Sequence, residues 1–281
     1  MVEEPFAEVA ARHASVIRVI PVAIRRWRGA LASAATWSEF GEFRRALRRE
    51  RYDCVIDSQG LVKSALLCAL ASGPKHGFDR AGAREPFAAR FYDQRHAVPQ
   101  ALHAVERNRR LAAAALGYAA QGDCDYGLRA MGEAPIEVRP PFALLLTMTS
   151  RGDKLWPEEH WRSLAAALEA RGLQSVFPWG SEQERRRCAR IAAGIRGALV
   201  PRQMTLAELA RLMRHARVAA GVDTGLAHLA AALGVPAVGI YCGSDPALTG
   251  LYGSERARNL GDSGKAPAAK EVLEALELLL R

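Results

Sequence analysis

The run Val222-Asp223-Thr224-Gly225-Leu226-Ala227-His228 sets a carboxylate, a hydroxyl, a glycine and an imidazole where a strand-like segment, 217–222, gives way to an alanine- and leucine-rich helix. In open α/β sheets ligands bind beyond the carboxyl ends of the strands, and a helix start offers unpaired N–H groups to an anion. Glycine permits close backbone approach, Thr224 adds a donor, and His228 falls one helical turn further on. The plainer alternative is a helix cap on Asp223 or Thr224 with His228 in the core. A second cluster, Thr147-Met148-Thr149-Ser150-Arg151-Gly152-Asp153-Lys154-Leu155-Trp156-Pro157, follows another strand-like run of the same half. Its hydroxyls and Lys154 suit a diphosphate, with the ammonium as a point charge, although the glycine spacing of a Walker A loop is absent. A solvated polar loop is the competing explanation. A third cluster, Phe177-Pro178-Trp179-Gly180-Ser181-Glu182-Gln183-Glu184, again follows a strand. An acidic residue there could take the two hydroxyls of a ribose, or Glu182 and Glu184 could simply favour a helix start.

Arginine dominates the first half. The stretch Ile24-Arg25-Arg26-Trp27-Arg28 lies within residues 18–51, where nine arginines face three glutamates for a local balance of +6. A second basic group, Arg107, Arg109 and Arg110, follows His103. Guanidinium forks suit carboxylate and phosphate, so an acidic glycan, a phospholipid headgroup or nucleic acid could bind, against the alternative of a solvated charged surface. Nucleic acid is disfavoured, because no reader module or aromatic stacking set accompanies the charge.

The elements that must position these groups alternate regularly from residue 142 onward. Strand-like runs at 142–147, 174–177, 198–200, 218–222 and 237–241 are separated by helical stretches, the signature of a parallel sheet covered on both faces. Pro157 suits a first helical turn, and Thr205-Leu206-Ala207-Glu208 reads as a capping box. The first half is similar but less complete. It has a strand at 16–20, a helix at 38–51, a strand at 54–57 and a helix from Leu61, but no leading strand with its glycine-containing turn. Paired prolines at 140 and 141 make 134–141 a linker between domains at 1–133 and 142–281. The last helix, 267–281, has no strand after it and is free to pack back across the first domain.

A length of 281 residues fits two domains, and 49% apolar with 25% charged residues is ordinary for a globular protein. The net charge of +9 implies an anionic partner. Five scattered cysteines support neither a disulfide framework nor a zinc site, and a reducing cytosol fits best. No apolar run approaches the length of a spanning helix, and Met1-Val2-Glu3-Glu4-Pro5 lacks the apolar stretch of a signal peptide, so any membrane contact is peripheral.

Together, Val222-Asp223-Thr224-Gly225-Leu226-Ala227-His228, Asp153-Lys154-Leu155-Trp156-Pro157 and Pro178-Trp179-Gly180 resemble the motifs of the bacterial lipopolysaccharide heptosyltransferases. Arg25-Arg26-Trp27-Arg28 and Gln59-Gly60-Leu61-Val62-Lys63-Ser64 narrow the likeness to the heptosyltransferase I type, and it runs over the entire chain. The resemblance implies a GT-B glycosyltransferase with two Rossmann-like doubly wound α/β domains, the first incomplete, and with ADP-heptose held by the second. It implies inverting transfer of L-glycero-D-manno-heptose to Kdo of Kdo2-lipid A, at the anionic cytoplasmic face of the inner membrane, with no metal and no cofactor beyond the donor. Carried over residue by residue, Thr149, Ser150 and Lys154 hold the diphosphate, Glu184 the ribose and Met204 the adenine. Asp223, Thr224, Gly225 and His228 surround the diphosphate and heptose. Asp223 is assigned to sugar hydroxyls, because an unpaired carboxylate beside a diphosphate is repelled. Arg25, Arg26, Arg28, Lys63, Arg107, Arg109 and Arg110 are the implied contacts to the acceptor's carboxylate and phosphates.

One departure bears on catalysis. The family opens with a strand and a Ser-Leu-Gly-Asp type loop whose aspartate is taken as the general base, and this sequence is expected to begin after the family's second strand. Asp57 and Asp223 do not match that aspartate, so the catalytic residue is unassigned. A general base contributes roughly two to four orders of magnitude, so Met1 is expected to stand for an internal codon of a longer, active enzyme. A heptosyltransferase II type enzyme and a catalytically silent ADP-sugar binder are the alternatives.

Overall fold

The structure is a computed structural model and describes residues 1–128 and 132–281. It divides into two compact units, Met1–Ala11 with Val16–Gly122, and Arg12–Ser15 with Asp123–Arg281. The division after Gly122 comes earlier than the expected domain end at 133, a span that also takes in residues 129–131, outside the described residues. Two local contacts tie the intervening segment to the second unit. His13 bridges Leu128, and the Tyr126 hydroxyl donates to the Tyr252 carbonyl at 3.1 Å.

In the first unit, β1 (Val2–Glu3) and β2 (Pro21–Val22) form one parallel sheet, and β3 (Val55–Asp57), β4 (Lys75–Phe78) and β5 (Gln94–His96) form another. The helices are α1 (Ala7–Ala10), α2 (Ile24–Gly29), α3 (Ala34–Leu47), α4 (Val62–Ala69) and α5 (Ala104–Leu116). The strand expected at 16–20 is irregular instead. Ile20 is buried while Ile17 stands fully exposed, so the apolar run never acquires a covered side. The helix expected at 38–51 starts and stops four residues earlier, because Arg51 is drawn into a parallel bridge with Ser72. On α3, Thr36, Phe43 and Leu47 are buried. Beside them Trp27 packs edge-on against Phe40, ring centroids 5.8 Å apart, which fixes the short α2 and its arginines.

The second unit is a doubly wound sheet. Strands β6 (Phe142–Leu146), β7 (Gln174–Val176), β8 (Val218–Val222), β9 (Ala237–Tyr241) and β10 (Ala257–Gly261) are parallel, in the spatial order β10-β9-β8-β6-β7. Helices α6 (Glu158–Glu169), α7 (Glu182–Ala192), α8 (Leu206–His215), α9 (Gly225–Ala232), α10 (Pro246–Thr249) and α11 (Ala269–Leu280) complete it. Strands β6, β8 and β9 are buried along their whole length, which is why their sequences are continuously apolar. The run expected at 198–200 reduces to a single bridge, Val176 to Leu199, and β10, with Arg258 and Asn259 exposed, carried no apolar signal. The closing helix α11 buries Val272, Ala275 and Leu276 within this unit's own core, against α6, β8 and β9.

Two packing details aim the functional loops. Trp156 is fully buried, meets Trp161 edge-on at 4.9 Å, and donates its indole N–H to the Pro267 carbonyl at 2.8 Å. Burying an indole is worth ~4–6 kcal/mol, so the loop carrying Lys154 is anchored two residues beyond it. Gly221 lets α9 lie close on β8, since a Cβ there would stand 3.0 Å from the Ala227 Cβ and 3.1 Å from the Leu146 Cβ.

Candidate active site

The winding of the second sheet reverses between β6 and β8. From β6 the chain passes to β7 on one side and then returns to β8 on the other, and the crevice beyond the carboxyl ends at such a reversal is where open α/β sheets bind ligands. The two loops singled out from the sequence leave these two strands and meet there. The Thr149 hydroxyl donates to the Asp223 carbonyl at 2.9 Å, and Lys154 Nζ lies 2.6 Å from Asp223 Oδ2. Side-chain exposures of 18% for Lys154 and 9% for Asp223 make this a largely desolvated ion pair.

The same carboxylate oxygen accepts from Ser244 Oγ at 2.6 Å, and His228 Nε2 lies 3.8 Å from the other oxygen, an electrostatic contact rather than a hydrogen bond. Burial pushes the Asp223 carboxyl up, but the His228, Lys154 and Ser244 side chains outweigh it and hold the carboxyl well below the usual carboxylate range. The sequence-based assignment treated this carboxylate as unpaired. In the fold it is paired, so the repulsion expected between Asp223 and a diphosphate is offset at its source.

Thr224 occupies the N-cap position of α9, but its side chain makes no capping bond; the Ala227 amide donates to the Thr224 carbonyl at 3.0 Å, and the Gly225 and Leu226 amides keep open hydrogen-bonding capacity. Gly225 is exposed, and a Cβ there would meet nothing within 4 Å, so the helix start stands clear of other protein atoms. Ser150 is exposed beside Thr149. The loop after β9 was missed in the sequence. Gly243 approaches the Lys154 loop so closely that a Cβ would fall 2.7 Å from the Asp153 carbonyl oxygen, and Ser244 is thereby delivered to Asp223. The available signal was a third strand end, Tyr241-Cys242, followed by a glycine, a serine and the Asp245-Pro246 start of α10.

Glu184, in the first turn of α7, and Met204, on the loop before α8, belong to neighbouring segments joined by the Gln203 side chain, which donates to the Gly180 carbonyl at 2.7 Å. Glu184 Oε2 accepts from Gly180 N at 2.6 Å and Ser181 N at 3.2 Å, and Ser181 Oγ accepts from Glu184 N at 3.3 Å, a capping box. Met204 is half-buried. A cavity of about 490 Å³ opens between Met148, Leu155 and the arginine-lined side of α7, and none of the expected donor residues lines it.

In the first unit the arginines divide by their partners. Arg26 is ion-paired with Glu4 at 2.8 Å and Glu39 at 2.7 Å, and the Trp27 indole also donates to Glu39 at 2.9 Å. Arg107 donates to the Gly82 carbonyl and lies 4.7 Å over the Phe78 ring, where burial and the Arg84 charge lower its pKa. Arg110 and Arg109 reach Glu106 at 2.7 and 3.5 Å, and Arg109 also donates to the Gly122 carbonyl at 2.7 Å. Arg25, Arg28 and Lys63 are exposed and meet no carboxylate among the described residues. Asp57, buried at 3% exposure, accepts from Ser64 Oγ and Tyr92 Oη at 2.7 Å each and from Gln59 N at 2.9 Å. Its hydrogen bonds hold β3, the following loop and α4 together rather than pointing to solvent.

The family model described as glycosyltransferase family 9 (heptosyltransferase) matches residues 40–277. Lipopolysaccharide heptosyltransferase 1 of Escherichia coli strain K12 is 46% identical over 260 residues, covering 91% of this chain and 81% of the relative. Among solved structures, the E. coli heptosyltransferase WaaC with ADP superposes with a TM-score of 0.90 at 41% identity, over 99% of this chain and 89% of that one. WaaC with ADP-2-deoxy-2-fluoro heptose gives 0.82 at 40% identity, over 99% and 88%.

Proposed function

The chain belongs to glycosyltransferase family 9, the heptosyltransferases, and is therefore a glycosyltransferase of GT-B fold; on that premise we propose that it transfers L-glycero-D-manno-heptose, with inversion, from ADP-heptose to Kdo of Kdo2-lipid A in lipopolysaccharide inner-core assembly. One observation carries the donor half of this proposal: Thr149, Lys154 and Asp223 converge at the reversal point of the second sheet, in a chain whose relatives were solved with ADP and a fluorinated ADP-heptose.

Each group has a distinct task. Lys154 shares its charge between Asp223 and the diphosphate, and so stabilises the negative charge that builds on the departing ADP. Ser150, Thr224 and the open amides of α9 donate to phosphate oxygens, with Gly225 leaving them room, while Thr149 ties its loop to Asp223 beside them. Asp223, kept ionised, accepts from heptose hydroxyls, and His228 lies on the same side of it. Glu184 takes the ribose and Met204 lines the adenine. Neither Asp223, held ionised by three neighbours, nor Asp57, buried with three donors, is suited to take a proton from the acceptor hydroxyl.

On the acceptor side, Arg25, Arg28 and Lys63 carry the uncommitted charge for a Kdo carboxylate and lipid A phosphates, while Arg26, Arg107 and Arg110 support the surface that presents it. Among the described residues no helix is long and apolar enough to cross a membrane. A lipid-linked acceptor therefore implies peripheral work at the cytoplasmic face of the inner membrane.

The test combines ADP calorimetry with ADP-heptose-dependent transfer to Kdo2-lipid A and to a heptose-bearing acceptor. Transfer to Kdo2-lipid A is expected. Transfer confined to the heptose-bearing acceptor would favour a heptosyltransferase II type activity, ADP binding without turnover a silent binder, and absence of ADP binding would refute the donor site.

A further inference from the structure

Twelve of the chain's arginines are ion-paired with carboxylates among the described residues. Guanidinium groups meet carboxylates at Glu4, Glu39, Glu106, Glu158, Glu169, Glu182, Glu208 and Glu277. The second half of α3 and the turn after it gather a dense group of arginines without such partners. Residues 44–51 hold five arginines and a single carboxylate, Glu50, which is turned away to Arg18 at 3.0 Å. Arg44, Arg45, Arg49 and Arg51 are exposed and meet no carboxylate within 4 Å among the described residues, and Arg48 is spent only on the Leu70 carbonyl. A groove of about 780 Å³ runs past Arg48, Arg49 and Arg51 to Lys75 at the start of β4, its four cations outnumbering the two carboxylates on its wall, Glu50 and Asp93.

A second, independent feature is apolar. The Arg18 side chain, held by Glu50 and by the Tyr52 hydroxyl at 3.4 Å, pins the preceding residues beside the end of α3, and the next residue back, Ile17, is fully exposed. At the other end of the helix Trp37 is 59% exposed, its indole N–H donating to the Leu31 carbonyl at 2.8 Å, and Leu31 is equally exposed. Trp37, Arg44 and Arg48 recur at spacings of seven and four, so they share one stripe along α3. An unneutralised arginine stripe with an indole at one end and an aliphatic side chain standing in water at the other has the chemistry of an interfacial helix on anionic lipid.

We infer that α3 and the segment around Ile17 form a membrane-docking surface, with α3 lying along the plane of anionic phospholipid headgroups, its arginines on the phosphates and Trp37 and Ile17 at the acyl boundary. Only residues 30–33 separate α2 from α3, so this posture sets Arg25 and Arg28 near the membrane surface, where a lipid-linked anionic acceptor presents its sugars. The inference rests on the proposed function only for the choice of a lipid surface as partner.

The test is sedimentation of the full chain with vesicles of phosphatidylglycerol and phosphatidylethanolamine, against phosphatidylcholine alone. Each arginine near an anionic surface contributes about fivefold in affinity. The triple substitution Arg44→Gln/Arg45→Gln/Arg49→Gln should therefore weaken binding to the anionic vesicles on the order of a hundredfold. Removing the same charge from the second unit, with Arg214→Gln/Arg256→Gln/Arg258→Gln, should change it little, and Ile17→Asp should weaken it at constant arginine content. ADP calorimetry on each variant reports the donor site separately. Vesicle binding lost in the α3 variant with ADP affinity intact supports the docking surface. Equal losses in the two triple variants, or no preference of the parent for anionic vesicles while ADP still binds, would overturn it and leave the transferase proposal standing. Absence of ADP binding in the parent would count against that proposal alone.

Discussion

Lys154→Met removes the ammonium from a carboxylate that is 9% exposed and 2.6 Å away, while an unbranched apolar chain still fills the space. Breaking a fully buried pair by deleting one partner costs about 3–5 kcal/mol. Here Ser244 Oγ still donates to Asp223 at 2.6 Å and Lys154 itself is 18% exposed, so about 2 kcal/mol is expected. In thermal unfolding that corresponds to about 4–8 °C for a unit of this size. The pH dependence follows from the sign of the Asp223 shift. Folding lowers this carboxyl below its unfolded value of about 3.9, so the contribution of the pair is complete above that pH and is lost only as pH falls toward the folded value. In the variant only His228 and Ser244 still oppose burial, so the same carboxyl rises relative to the parent, and protonation then relieves part of the penalty. The gap between variant and parent should therefore narrow below about pH 5. Adding Asp223→Asn to the variant should restore at least half of the lost stability, because the orphaned charge is gone. ADP affinity should fall by about ten- to a hundredfold in Lys154→Met, the worth of one charge-assisted hydrogen bond. A variant as stable as its parent at pH 7, or one that binds ADP equally well, would refute the central place given to this pair.

Gly221→Val puts a branched side chain where even a Cβ would be 3.0 Å from Ala227, and the overpacking should cost about 1–3 kcal/mol and displace the start of α9, read as a joint fall in melting temperature and ADP affinity. Tyr92→Phe deletes a 2.7 Å donor to the buried Asp57 and should cost about 1–3 kcal/mol; in the parent, burial and Asp57 push the Tyr92 phenol up, so an ultraviolet titration should show it ionising after the exposed tyrosines. Thiol titration of the native protein should find Cys54 and Cys124 alone, with Cys68, Cys188 and Cys242 appearing only on denaturation; burial pushes the Cys68 thiol up to about 12, and rapid modification of it would contradict the packing of α4.

Much of the second unit was legible in the sequence, because its central strands are covered on both sides and must be continuously apolar, as Phe142–Leu146, Val218–Val222 and Ala237–Tyr241 are. The capping box at Thr205 and Glu208 was equally plain, since its donors and acceptors lie within four residues of each other. The edge strand β10 was not. In β10 Arg258 and Asn259 are exposed, and pairing to β9 through the backbone leaves no trace in side-chain type. At 16–20 the apolar composition promised a strand, but nothing covers Ile17, and a strand needs a partner as well as a pattern.

The amino-acid sequence determined which residues stand at strand ends, because hydroxyl, lysine, aspartate and glycine at a strand-to-helix turn follow from local backbone requirements alone. It also determined the net charge of +9, since net charge does not depend on folding. Only the tertiary structure decided which charges were already spent. Lys154 and Asp223 are 69 positions apart, as Arg26 and Glu4 are 22, and whether a cation meets a carboxylate or waits for a ligand depends on distances that the winding of the sheets imposes. That accounting separates Arg107 and Arg110, held within the fold, from Arg25, Arg28 and the stripe on α3, whose charge remains turned to solvent.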